Sequence, residues 1–234
     1  MHTASVDGRH RESDLTARAQ IRDAAIECFA ESGFRAPFRE IAERAGVSPA
    51  LITHHFGSKA ALRTECDTEV LGRYRSMKTG AIPLVGTAFA ALVDGVTHDQ
   101  AVVSVYILRV LGAGGHAADS FLTDLSSQIG AVLAAYEEAG LVRPSRDEGA
   151  RAQFFARTML GSVLVAFLTV EWDTPEGFVK TLVSRSGQFT LPLLELYSEG
   201  LLTSTTMLDQ FLRAGEDSSA GTSGAAGNER NDNG

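Results

Sequence analysis

Five basic side chains lie close together in residues 33–63 of a chain that is acidic overall. They are Arg35, Arg39, Arg44, Lys59 and Arg63, opposed there only by Glu40 and Glu43. The 234-residue chain has a formal net charge of −8, yet residues 1–80 hold 12 Lys and Arg against 11 Asp and Glu. Guanidinium and ammonium groups bind phosphate oxygens, and docking on a nucleic acid depends on such a local field more than on total charge. The segment is therefore a candidate phosphate-binding surface.

The same segment has the pattern of two short helices that meet at a tight turn. Residues 38–45 are bounded by Pro37 and Gly46, and glycine tolerates the positive φ that such a turn requires. Ser48 then supplies an N-cap hydroxyl, and Pro49 follows at the first helical position. The pattern predicts a helix-turn-helix whose second helix is free to enter a major groove. The alternative is a helical hairpin in an ordinary bundle.

Four stretches in and around this pattern carry a family resemblance. They are Ala24-Ala25-Ile26-Glu27-Cys28-Phe29, Gly33-Phe34, Ile41-Ala42-Glu43-Arg44-Ala45-Gly46-Val47-Ser48 and His54-His55-Phe56-Gly57-Ser58-Lys59-Ala60-Ala61-Leu62. In order and spacing they resemble the amino-terminal domain of TetR-family transcriptional regulators. The resemblance implies a homodimer that binds a palindromic operator on double-stranded DNA, usually as a repressor. It also implies a variable carboxy-terminal domain that dimerises and binds a small-molecule effector.

The resemblance further implies which residues contact DNA. Ser48 caps the recognition helix and touches phosphate, while His54 and Lys59 meet the DNA backbone. Lys59 also begins a helix, where amides and an ammonium group converge on one phosphate. The base-facing positions hold apolar side chains, which contact thymine methyl groups but cannot read guanine. These are Pro49, Ala50 and Leu51.

Two departures from the family pattern bear on the same surface. Thr53 stands where the family usually has a phosphate-gripping tyrosine. Residues 33–39 are one residue short and lack the Thr or Ser that normally caps the second helix. Because the base-facing set is apolar, we expect specificity to rely on DNA shape, or on Arg39 and an arm around Arg9 and Arg11.

Apolar periodicity predicts an all-α chain in four parts. Residues 1–12 are expected to be a flexible arm, 15–75 the DNA-binding domain, 80–213 a ligand-binding and dimerisation domain, and 214–234 a disordered tail without large apolar side chains.

Helix ends are predicted from caps and breakers. The first helix should start after Ser13 or Thr16 and end at Gly33, and a linking helix should cover about 59–78. Further helices are expected near 84–95, 99–112, 117–139, 146–171 and 175–199, with a capping box from Ser145 to Glu148, a start at Thr174-Pro175 and a kink or split at Pro192.

The second domain carries aromatic and methionine side chains that mostly form its core. A few should line an effector pocket, and the candidates are Phe89, Tyr106, Phe121, Phe155, Met159 and Trp172. Apolar faces along 146–171 and 175–199 exceed what one small bundle needs, so some are predicted to pair across a two-fold axis. Those faces comprise Ala152, Ala156, Met159, Val163, Ala166, Phe178, Leu182, Phe189, Leu193 and Leu196.

Several other patterns have a simpler interpretation than a reactive site. Residues 102–117 match a strand followed by G-x-G-x-x-A, but no neighbouring parallel strands are predicted, which favours a buried helix, a turn and a helix near Ala117. Cys28 and Cys66 are interpreted as core thiols. Adjacent His54 and His55 point about 100° apart and cannot chelate one metal ion. No metal spacing, catalytic set or cofactor motif is found.

These observations predict a soluble, cytoplasmic, non-catalytic protein. The longest apolar run, residues 159–170, is shorter than the roughly 18 residues of a membrane span, and no signal peptide is recognised at the start. The function predicted is a ligand-responsive DNA-binding transcriptional regulator, a repressor released from its operator by a small hydrophobic effector. The alternative is a ligand-binding or anti-repressor protein of the same fold that has lost DNA binding.

Overall fold

All regular secondary structure of the described residues is helical. The computed structural model describes residues 4–77, 97–185 and 187–214. Its helices are α1 (Ala4–Ser32), α2 (Phe38–Ala45), α3 (Pro49–Phe56), α4 (Lys59–Met77), α5 (His98–Ala113), α6 (His116–Glu138), α7 (Glu148–Thr169), α8 (Pro175–Arg185), α9 (Gly187–Ser198) and α10 (206–214). The all-α prediction is confirmed.

The predicted helix ends are confirmed around the turns and corrected at the start. Gly33, with φ of 80°, terminates α1, and α2, α3 and α4 have the predicted bounds within a residue. The predicted start of the first helix is wrong, because α1 begins at Ala4 and includes much of the predicted arm. Once a helix has formed, adding one residue costs far less than nucleation, so a polar segment without apolar periodicity can extend it.

Two details differ in the carboxy-terminal half. Asp147, not Ser145, is the N-cap of α7, because its carboxylate accepts from the Ala150 amide at 2.8 Å. Pro192 lies inside α9 and does not divide it. The predicted helix 84–95 and residues 215–234 of the predicted tail lie outside the described residues.

Residues Met1–Gly187 form one compact unit, and Gln188–Gly234 form a second. In the first unit a single apolar core extends from α1 to α8. Phe29 on α1 contacts Phe34 and Tyr106, with ring centroids 5.6 and 6.4 Å apart. The Tyr106 hydroxyl donates to Asp67 on α4 at 2.7 Å. The helix-turn-helix is thus packed on the bundle through α1 and α4.

The glycine-rich segment forms a turn between helices. Residues 102–111 lie in α5, and most of their side chains are buried. Gly114 and Gly115 have φ of 68° and 81° and connect α5 to α6. The preferred interpretation, a buried helix followed by a turn and a helix, is confirmed, and the dinucleotide alternative lacks its strand.

Helix α7 has two apolar faces. Ala152 and Ala156 pack into the core of the chain, whereas Phe154, Val165 and Leu168 are 62%, 61% and 70% exposed. By length and composition alone α7 could cross a membrane, because its apolar window is longer than the apolar run of residues 159–170. Only 11% of its most apolar window is buried, leaving a face that the first unit does not cover.

His98 links three helices at the start of α5. Its ring Nδ1 hydrogen-bonds Glu176 on α8, and its Nε2 lies 3.9 Å from Glu27 on α1. The hydrogen bond to Glu176 raises the pKa of His98 above its ordinary value, and Glu27 and Glu31 add to the effect. The folded chain therefore binds the His98 proton more tightly than the unfolded chain does.

We expect this linkage to make stability fall as pH rises. The folded chain holds the His98 proton above the ordinary histidine pKa of about 6.5, so the stabilisation is complete below that pH and is lost as pH rises through the raised value. The effect should be modest, because His98 is 57% exposed and solvent screens the pair. Chemical denaturation from pH 6 to 9 should show the slope in the parent chain, and His98→Gln should flatten it. An equal slope in both proteins would contradict this assignment.

Candidate nucleic-acid interface

The turn between α2 and α3 is built by local backbone geometry. Gly46 adopts the left-handed conformation, with φ of 67° and ψ of 30°, and its amide donates to Glu43. The Val47 amide donates to the Ala42 carbonyl at 3.0 Å, and the Ser48 hydroxyl accepts from the Leu51 amide at 3.3 Å. These bonds confirm the predicted turn and N-cap.

Side chains of α1 fix the outer faces of this pair. The Arg18 guanidinium donates to the His55 carbonyl at 2.8 Å and lies 4.7 Å from the centre of the Phe56 ring. It also pairs with Glu65 on α4. Arg44 on α2 pairs with Glu31 on α1 at 2.5 Å. Sequence patterns missed both positioning arginines, because their partners lie 13 to 47 residues away.

Four residues form the exposed face of α3, as two pairs whose members are one helical turn apart. They are Pro49, Ala50, Thr53 and His54. Leu51, which the resemblance placed among the base-facing residues, lies off this face and is half-buried against the core. The Thr53 hydroxyl donates to the Pro49 carbonyl at 3.3 Å, which uses its single donor within the helix.

The structure separates the five basic residues into two groups. Arg44 is paired with Glu31 and Glu27, and Arg63 pairs with Asp67 at 3.6 Å while lying over the Phe34 ring. No carboxylate of the described residues pairs with the other three, of which two are exposed and one is half-buried. These are Arg35, Arg39 and Lys59. Counting charges in the sequence overestimates the cations available to phosphate.

The available cations flank two helix starts. Lys59 is the first residue of α4, and the Ser58 hydroxyl before it accepts from the Ala61 amide at 3.1 Å. Pro37 precedes α2 without any side-chain cap, as the shortened segment predicted, and Arg39 lies in the first turn. First-turn amides have no partner within their helix and favour anions. Both helix starts of the head therefore carry groups that attract phosphate.

We expect Leu51→Ala to act on stability before base recognition. Removing a half-buried leucine should cost roughly 1–2 kcal/mol, less than the 2–5 kcal/mol of a fully buried one. Thermal denaturation measures this cost, and Thr53→Ala on the exposed face is the matched control that should leave the midpoint nearly unchanged. If the Leu51→Ala protein were as stable as the parent, Leu51 would have no core role and would be free to contact bases.

The predicted effector-pocket residues differ in their exposure. Tyr106 and Phe121 are buried core residues, Phe155 and Trp172 are half-buried, and Met159 is 44% exposed. Phe89 lies outside the described residues. Two open clefts of about 580 and 340 Å³ flank α4, and none of the five described candidates lines either of them.

The two cysteines are core residues. Cys28 and Cys66 are fully buried, and burial raises the pKa of Cys28 to about 11, so both thiols are unreactive core residues as expected. In the described part of the chain no group of three His, Cys, Asp or Glu side chains is placed to hold a metal ion.

Comparison with known proteins gives consistent matches across both halves. Residues 21–66 match the model of bacterial regulatory proteins of the tetR family, and residues 98–203 match the model of a tetracyclin repressor-like C-terminal domain. Over 206 residues the chain is 39% identical to the HTH-type transcriptional regulatory protein RaaS of Mycobacterium tuberculosis, covering 86% of this chain and 94% of that protein.

Two further relatives are more distant. The HTH-type transcriptional repressor KstR2 of Rhodococcus jostii is 25% identical over 170 residues, covering 69% of this chain and 82% of that protein. A solved structure described under "Molecular basis for control of antibiotic production by a bacterial hormones" has a TM-score of 0.52 at 21% identity, covering 80% of this chain and 98% of that one. This last likeness shows a shared fold.

Proposed function

Since the chain belongs to the TetR family of bacterial regulatory proteins and is a DNA-binding transcriptional regulator, we propose that it is a repressor. In this proposal a homodimer binds a palindromic operator and leaves it when a small hydrophobic effector binds the helical domain. The observation that carries it is the exposed face of α3 in a head where Arg35, Arg39 and Lys59 have no carboxylate partners among the described residues. An uncovered helix face and unpaired cations in the same head are suited to a phosphate backbone.

The DNA-binding residues take separate roles. Arg39, Ser48, His54 and Lys59 are proposed to contact the DNA backbone, with Pro49 and Ala50 facing thymine methyl groups and Leu51 at the edge of that set. Thr53 lies on the same face and would contact phosphate only by giving up its bond to the Pro49 carbonyl. Because the base-facing residues are apolar, sequence preference would depend partly on DNA shape. Arg35 joins the backbone contacts, since it is exposed next to α2.

Two parts of the chain are assigned separate roles. Residues 15–75 bind DNA, and residues 80–213 bind the effector and dimerise. Ala214, which the sequence analysis placed in the tail, lies in α10. The protein acts in the cytoplasm without catalysis, as do regulators that work by differential affinity of two states.

Dimerisation is supported by the uncovered face of α7. Successive intervals of seven, four and three residues separate Phe154, Gly161, Val165 and Leu168. This spacing places them on one side of the helix. In α9, Leu194 and Leu196 are 43% and 47% exposed. Apolar stripes of this kind pair helices across a two-fold axis.

The dimer faces differ from those predicted from the sequence. Ala152, Ala156 and Phe178 pack inside their own chain, while Val163 and Leu182 lie half-buried against the same core. Met159 and Leu196 of the predicted faces are 44% and 47% exposed, and the exposed apolar side chains Phe154, Val165 and Leu168 lie outside the predicted set. Helical periodicity alone could not tell which of two apolar faces the chain covers itself.

The alternative is a ligand-binding protein of the same fold that no longer binds DNA. The Thr53 hydroxyl, which bonds within its helix in place of a long tyrosine side chain, favours this alternative. Binding to a labelled duplex of the upstream region of its own gene, measured by fluorescence anisotropy at several salt concentrations, separates the two. Saturable, salt-sensitive binding supports the repressor, and absence of binding to every fragment of that region supports the ligand-only protein.

A further inference from the structure

We infer that Arg109 is the positioning residue that couples the helical bundle to the DNA-binding head. The regulatory meaning of this coupling rests on the function proposed above. Arg109 lies on α5, outside the exposed face of α3, and its guanidinium contacts the head on one edge and aromatic rings of the bundle on its faces.

On the head side, Arg109 caps the end of α1. Its Nε donates to the Ala30 carbonyl at 3.0 Å, and its Nη2 donates to the Glu31 carbonyl at 2.7 Å. The last carbonyls of a helix have no donor within that helix, so each bond satisfies an otherwise unpaired group. The position of the end of α1 therefore depends on the position of this guanidinium.

On the bundle side, Arg109 lies against an aromatic cluster. Its guanidinium carbon is 5.5 Å from the centre of the Phe167 ring and 5.4 Å from that of Trp172. These two rings contact each other and the buried ring of Phe178 on α8, with centroids 5.4 to 5.7 Å apart. The cluster joins the end of α7 to α8.

The contact continues into the helix-turn-helix. Glu31 accepts from Arg109 through its backbone and from Arg44 of α2 through its carboxylate, at 2.7 and 2.5 Å. A guanidinium is planar and presents its donors in a fixed fork. If it shifts together with the aromatic rings, the two carbonyls that it binds must shift as well. A molecule that displaces Trp172 would thus shift the end of α1, and DNA binding would change the surroundings of Trp172 by the same reciprocal coupling.

Two glycines of the head provide a test that needs no DNA. Gly33 and Gly46 both end a helix with positive φ, so alanine strains the backbone at both. A methyl group at Gly33 would lie 3.3 Å from Nη1 of Arg109, whereas one at Gly46 meets nothing within 4 Å. Trp172 is the only tryptophan of the chain, so intrinsic fluorescence reports its surroundings alone.

We expect Gly33→Ala to shift the Trp172 emission maximum and Gly46→Ala to leave it at the parent value, with circular dichroism confirming that both proteins are folded. Adding Gly33→Ala to Arg109→Met should produce no further shift. An unshifted Gly33→Ala spectrum, or an equal shift in the Arg109→Met background, would overturn the coupling.

A second comparison covers the case in which Gly33→Ala does not fold. A duplex of the upstream region that binds the parent chain should change Trp172 emission over the same DNA concentrations as it changes anisotropy. Arg109→Met should bind that duplex within a few-fold of the parent while its Trp172 signal stays constant, and Arg109→Lys should give a reduced change. A parent signal unaffected by bound DNA, or an equal change in Arg109→Met, overturns the inference. If the parent binds no duplex, the proposed function fails, and the glycine pair still decides the coupling.

Discussion

Replacing Leu168 by glutamate is expected to convert the dimer to monomers and to lower operator affinity by roughly 100-fold or more. Leu168 is 70% exposed on the stripe that includes Val165 and Phe154. Burying a leucine stabilises by about 1.5–3 kcal/mol, and a two-fold axis repeats the contact. A carboxylate there would have to be desolvated without a partner. Loss of the second head removes the gain from binding two half-sites at once.

Sedimentation at micromolar concentration and anisotropy with the operator duplex measure the two effects. Gln153→Glu is the matched control, since Gln153 is exposed on the same helix, accepts a hydrogen bond from Arg157 and gains the same charge. That protein should stay dimeric and bind DNA as the parent does. A parent chain that already sediments as a monomer would contradict the proposed interface.

Removing the ammonium group of Lys59 should weaken binding to all DNA sequences alike. Lys59 begins α4 beside first-turn amides, and the described residues place no carboxylate against it. Each phosphate contact releases about one counterion, so Lys59→Ala should reduce the salt slope by about one unit per contact, or about two for a dimer. Sequence preference should be unchanged, because a phosphate contact carries no base information.

Arg44→Gln is the control for this second prediction. It removes the same charge from the head, but Glu27 and Glu31 already pair with Arg44 at 3.4 and 2.5 Å. The salt slope of this protein should stay close to that of the parent. A Lys59→Ala protein with parental affinity and slope, from a parent that binds DNA, would show that the recognition helix is placed wrongly.

The local structure of the head was predictable because each signal lies within a few residues. Gly46 reverses the chain with a left-handed conformation, and Ser48 caps α3 through a bond to an amide three residues away. Such signals depend on the backbone preferences of single residues and on neighbours along the helix. The same reasoning failed at the start of α1, where no cap or apolar periodicity marks the helix end.

The contacts that decide function join residues distant in sequence, and only the tertiary structure determined them. Arg44 and Arg63 resemble Arg39 in the sequence, but carboxylates from the folded chain neutralise the first two. Leu51 is half-buried because α3 packs on the core, and Leu168 is exposed because α7 presents its other face to that core.

By itself, the sequence determined that this chain has a TetR-type head on an all-α body. Tertiary packing decided which charges remain available to phosphate, which apolar stripe is left uncovered and which side chain connects α5 to the end of α1. Arg109 bonds a carbonyl 79 residues away, and no periodicity encodes such a contact. Burial and ion pairing depend on what the fold places within a few ångströms, whereas helix and turn formation depend on adjacent residues.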